Sequence, residues 1–166
     1  MPFQKTINRE LAIGIPGEVA NNGPRRAVTA TLNSTDAKNN VFGRVFTYTA
    51  DHEVAAGKGN GGAIAGILSN PKAYALYGTD GNTVGPSMAL PNGGDAEFTY
   101  MAEMYVVLPR AAAIGDKVIY DETTGEIDTV ARAATDPGAG KAFLPNAYVS
   151  NFYTTGNSIG VITLTN

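Results

Sequence analysis

Cysteine is missing from the 166 residues, so neither a disulfide nor a thiolate metal site can hold this chain together. Tryptophan is missing as well, and with it the broadest aromatic platform on which a sugar ring could stack. The one histidine, His52, has no second imidazole to join in a structural zinc site and leaves little room for nucleophile–base chemistry. Charge is also sparse, at 16% against an ordinary content of about 25%, which leaves a neutral, polar surface. Twelve basic and fifteen acidic side chains give a net charge of −3. They form no basic block able to track phosphates or an anionic lipid surface, so nucleic acid and membrane are not expected as partners. No run approaches the roughly 18 apolar residues of a membrane span. Charges interrupt any apolar core in the first residues, MPFQKTINRELAIGIPG, and the chain is expected to be soluble and unprocessed.

What the chain does contain is strand signal. Short β-branched and aromatic runs alternate with clusters of Gly, Asn, Asp and Pro at fairly even spacing. The clearest run, residues 97–108, sets Phe98, Tyr100, Ala102, Met104, Val106 and Leu108 on one face. Its other face, with Glu97, Thr99, Met101, Glu103, Tyr105 and Val107, is only half polar. Further strands are expected at 27–32, 41–49, 63–69, 117–121, 126–130, 147–153 and 158–165. So many short strands in a chain of one-domain length predict an all-β fold, either a jelly-roll-like sandwich or a closed barrel. Residues 1–26 carry prolines and glycines without sustained alternation, so an extended N-terminal arm is expected in front of a single β-domain spanning 27–166. Residues 78–95 are expected to form a long loop.

The stretch most suggestive of chemistry holds Asp116, Asp121, Glu122, Glu126 and Asp128. Its pattern reads as a hairpin, VIYD and EIDTV joined by ETTG, with Gly125 where the turn needs a positive φ and Asp121 accepting turn N–H groups. Glu126 and Asp128 are expected to project into water. A calcium loop counted from Asp121 fails at Thr123 and at Arg132, and a glycosidase would need two carboxylates facing each other across a cleft. Gly57, Gly59 and Gly62 match G-x-G-x-x-G, but the apolar run that follows is too short and too interrupted to be the helix that fingerprint opens. Asp51 in DHEVAAG is expected to begin a turn or a single helical turn. Tyr148, Phe152 and Tyr153, without basic neighbours, read as core or interface rather than a base-stacking platform. No catalytic residue, metal ligand or cofactor is assigned, and a non-enzymatic interaction protein is expected.

The N-terminal residues carry a resemblance. Phe3 and Gln4, then Gly17, Glu18 and Ala20, then Asn22, Pro24 and Arg25 follow the F-Q, PGE-x-A and N-x-P-R steps, and the start of the chain thereby resembles the structural cement, or head decoration, proteins of tailed bacteriophages. The likeness continues in VFGRVFTY, in the glycine-rich step into AIAGILSN and in AAIGDKVIYDETTGEI. It implies a capsid cement protein made in the bacterial cytoplasm and carried on the outer surface of the virion. Its implied partners are the major capsid protein and itself, as a homo-oligomer (dimer or trimer). In that reading Phe3, Ile7, Leu11, Ile13 and Ile15 are the apolar anchors of the arm, and Arg25 and Arg26 its polar contacts. The alternative is a carbohydrate-binding or host-adhesion β-module of a virion.

Overall fold

The computed structural model describes residues 14–58, 62–70, 89–151 and 156–165. These form β1 (Arg26–Leu32), β2 (Val45–Ala50), β3 (Glu53–Ala56), β4 (Ile64–Leu68), β5 (Asp95–Leu108), β6 (Lys117–Asp121), β7 (Ile127–Val130), β8 (Lys141–Val149) and β9 (Ser158–Thr165). Among the described residues there is no α-helix. One 3-10 turn at Ala37–Asn39 is capped by Asp36, whose carboxylate accepts the Lys38 N–H.

The described strands form one nine-stranded sheet, and β5 joins its two halves. The first half of β5 lies between β1 and β4 and closes a five-stranded barrel in the order β1–β3–β2–β4–β5. The seam is parallel, with Thr31 opposite Glu53 and Leu32 opposite Val54. Leu32, Phe46, Val54, Leu68 and Phe98 fill the barrel. The rings of Phe46 and Phe98 meet in a tilted pair 5.1 Å apart, an arrangement that adds to the burial of their area. The second half of β5 pairs with β9, and the sheet continues through β8 and β6 to β7. Met104, Val106, Leu108, Val118, Ile127, Val149 and Ile162 make a second core, which Val45 and Ile67 close from the barrel's outer face. Alternation on β2 and β4 does this: Phe46 and Leu68 point into the barrel while their neighbours Val45 and Ile67 point out of it.

Three stretches differ from their sequence expectation. DHEVAAG holds no helical turn: Asp51 and His52 make a tight hairpin turn, with His52 at φ 58, and β3 follows. β8 begins at Lys141 rather than 147, because Pro145 and Asn146, the latter at φ 54, look like a turn yet only kink a strand. β2 begins at Val45 rather than 41, since Gly43 turns the chain after an isolated bridge between Val41 and Ala89.

The β6–β7 turn is where the two cores are fastened. Gly125, at φ 72, accepts the Val45 N–H at 2.9 Å through its carbonyl, and Val45 in turn accepts the Gly57 N–H at 2.9 Å. A Cβ on Gly125 would stand 2.4 Å from the Val45 carbonyl oxygen. Replacing Gly125 by Val therefore combines a φ that β-branched residues resist with a backbone collision. The variant is expected to lose about 2 kcal/mol, seen in thermal melts as a Tm lower by roughly 4–8 °C. An unchanged Tm would contradict this account of the turn.

Candidate contact surface

The acidic stretch is an architectural element in which every carboxylate has its own donor. Asp116 accepts the Ala113 N–H at 2.8 Å, and Asp121 accepts the N–H groups of Thr123 and Thr124 at 2.8 Å each. Glu122 pairs with Lys58 at 3.2 Å and Glu126 with Arg44. Asp128 corrects the expectation that it faces water. Its carboxylate is buried, held by Arg110 and Lys141 and by the Thr129 N–H at 2.8 Å. Burial pushes the Asp128 pKa up, but the hydrogen bonds from Arg110, Lys141 and Thr129 outweigh it and hold the carboxyl below its ordinary range. Among the described residues no group of acidic or histidine side chains is placed to hold a metal. Beside the hairpin lies a polar cleft of about 730 Å³ between residues 33–36 and 122–124; its lining includes no aromatic ring on which a sugar could stack.

Of the residues assigned to the arm, Phe3, Ile7, Leu11 and Ile13 lie outside the described residues. From Gly14 onward the arm has a defined path. Ile15 stands half exposed at the start of a turn closed by the Glu18 N–H on its carbonyl, at 3.1 Å. The chain then runs along β5: Gly17 donates to the Tyr105 carbonyl at 2.8 Å, Tyr105 donates to Glu18 at 2.9 Å and Ala20 donates to Glu103 at 2.7 Å. Val19 bridges Met104 and packs on the second core. Residues 17–20 thus occupy the same edge of β5 as β1, with residues 21–25 looping out between them. Arg25 forms an ion pair with Glu97, and Arg26 opens β1 with its side chain exposed.

A second surface comes from register rather than from any motif. Strand pairing puts Tyr105 beside Val161 and Val107 beside Ile159, and puts Thr163 between Glu103 and Tyr148. Tyr148 in turn pairs with Lys117. Paired residues share a face, and this face is turned away from the second core. Val107 is 47% exposed and Tyr148 40%. Gly14 meets this face, since a Cβ there would lie 2.4 Å from the Tyr105 ring. The half-polar second face of the 97–108 run and the reading of Tyr148 as core or interface were the sequence signals for it. Their alignment across three strands was not, because it depends on non-local pairing.

The chain matches, over residues 3–165, the family model described as structural cement protein (E217 gp24/Pam3 gp6). It therefore belongs to the phage structural cement family, and its role is that of a capsid cement or decoration protein. No curated protein matches it. Among solved structures it is similar to a chain of the capsid of Myoviridae phage XM1, with TM-score 0.69 and 14% identity over 100% of this chain and 99% of that one. This likeness concerns the fold. A more distant similarity, TM-score 0.41 and 13% identity over 86% of this chain and 95% of that one, is to the head fiber gp8.5 N base of bacteriophage phi29.

The Asp128 cluster yields a test with a defined sign. A carboxyl whose folded pKa lies below its unfolded value stabilises the fold above the unfolded pKa, near 3.9, and loses that contribution as pH falls through the folded one. Asp128→Asn is expected to cost about 2 kcal/mol at pH 7, because two cations lose their buried partner. The gap in Tm between wild type and variant should narrow as pH drops below about 4. A gap that stays constant down to about pH 2 would refute the assignment.

Proposed function

We propose that the protein is a non-enzymatic cement that sits on the outer surface of a tailed-phage head as a homo-oligomer and bridges neighbouring copies of the major capsid protein. The observation that carries this reading is the family match over almost the whole chain. It is supported by an acidic stretch whose carboxylates are all engaged in holding the fold. A protein that binds only the assembled lattice stabilises it by RT ln(1 + [L]/Kd), about 2.7 kcal/mol per site at a hundredfold excess over Kd. Contacts repeated over the lattice multiply that contribution.

In this reading Phe3, Ile7, Leu11, Ile13 and Ile15 are the apolar anchors on the capsid or on a sister subunit, with Arg25 and Arg26 as polar contacts at the base of the arm. Burying three or four such side chains contributes roughly 1.5–3 kcal/mol each before the cost of ordering them. The boundary between the arm and the β-domain at residue 26 is part of the same proposal. Residues 17–20 are bonded to β5, so the reach is proposed to come from residues 1–13, which fully extended would span at most roughly 45 Å.

The test is a shortened protein beginning at Gly14, which keeps the hydrogen bonds of residues 17–20 to β5. Circular dichroism should report an intact β-domain, and co-sedimentation with undecorated heads should fall to background. Full retention of head binding by the shortened protein would move the affinity away from the arm.

A further inference from the structure

We propose that Asn22 is a site of spontaneous covalent modification, at which the chain converts its own side-chain amide to a carboxylate with water as the only co-reactant. The inference is chemical and stands independently of the cement reading.

The reaction needs an asparagine followed by a residue whose backbone nitrogen can reach the side-chain carbonyl carbon. Glycine allows this best, since it has no Cβ to block the approach and the widest choice of backbone conformation. The Gly23 nitrogen gives up its proton and bonds to Cγ of Asn22, the Cγ–Nδ2 bond breaks, and ammonia leaves. Water then opens the resulting five-membered imide at either of its carbonyls. One product is an aspartyl residue at position 22. The other is an isoaspartyl residue, in which the main chain runs through Cγ and is longer by a methylene. Nothing is oxidised or reduced.

Asn-Gly pairs occur at 22–23, 60–61 and 92–93, and the structure separates the first from the last; the middle pair lies outside the described residues. Asn22 and Asn92 are both exposed, so access to water does not distinguish them. Restraint does. Asn92 Oδ1 accepts the Ser34 N–H at 3.1 Å and the Asn40 side chain at 2.8 Å, and its Nδ2 donates to the Ser34 carbonyl at 2.8 Å. The Gly93 N–H is committed to the Leu32 carbonyl at 2.7 Å. Electrophile and nucleophile are thus tied to different partners, and Asn40, which holds one of them, is fully buried. Both ties must open before the ring can form. Around Asn22 there is no such frame. Residues 21–25 are exposed, and among the described residues none holds the Asn22 side chain. The Gly23 N–H reaches only the side chain of Asn21, at 2.9 Å, an exposed contact that water can replace. Asn21 and Asn157 are exposed as well, but Asn22 and Ser158 follow them, and a side chain on the attacking residue slows ring closure.

The modified position lies between the arm residues bonded to β5 and the first barrel strand. It follows closely on Ala20, the last arm residue to donate to β5, and comes shortly before Arg25. The product adds a negative charge there, and the isoaspartyl form lengthens the backbone, while neither core is touched.

The test is peptide mapping by mass spectrometry on the full chain, incubated at mildly alkaline pH either folded or unfolded in urea, with an isoaspartyl methyltransferase to tag the isoaspartyl product. Each site's rate in urea is its own reference. In the folded protein Asn22 should keep that rate to within about threefold, whereas Asn92 should be slowed about tenfold or more, because its reaction waits on local opening. Asn22→Gln should abolish conversion at this position. Gly23→Ala should slow it severalfold in both states, with circular dichroism unchanged. The proposal is overturned if folding protects Asn22 as strongly as Asn92, if Asn92 in the folded protein converts as fast as Asn22, or if Gly23→Ala converts at the wild-type rate.

Discussion

Everything in this molecule depends on one strand being shared. β5 runs for 14 residues, long enough for its first half to close the barrel with β1 and β4 while its second half founds the sheet with β9. Phe98 fills the barrel and Met104, Val106 and Leu108 fill the second core, with the register against β1 shifting between the two halves, where Ala27 pairs with Thr99 and Arg26 with Met101. A one-residue slip would turn all of them out at once. The two cores therefore cannot be assembled independently, and β5 couples them through its own backbone.

The second coupling is the β6–β7 hairpin, which explains why so many carboxylates are spent on fourteen residues. Its turn must lie against the barrel closely enough for Gly125 and Val45 to share a backbone hydrogen bond. Around that contact the largely buried Arg44 pairs with Glu126 and also donates to the Thr124 carbonyl, and Lys58 pairs with Glu122. Asp128 differs because it is desolvated and bound by two cations, one from the segment after β5 and one from β8. It ties together β7, β8 and the segment after β5.

The sequence exposed the parts that depend on local order. Alternation marked β5, β6 and β9 close to their observed limits, and the turn chemistry of Asp121 and Gly125 was readable from position alone. It did not expose β3, because a four-residue strand entered through a His at positive φ has no periodicity to detect. Nor did it reveal that Asp128 is buried, since the two cations that make burial tolerable come from 18 and 13 residues away. The apolar outer face was visible only as an imperfectly polar strand, and its meaning depended on which residues of β9 and β8 stand beside it.

The scarcity of charge noted at the outset then acquires a physical role. A cement works by covering its neighbours, and every solvated charge caught beneath it would have to be stripped of water or matched. Interface centres are accordingly depleted in charged residues. This chain meets that condition twice. It carries few charges, and it commits Asp128, Arg44 and Arg25 to partners within its own fold, leaving large parts of its surface to backbone, hydroxyl and apolar groups.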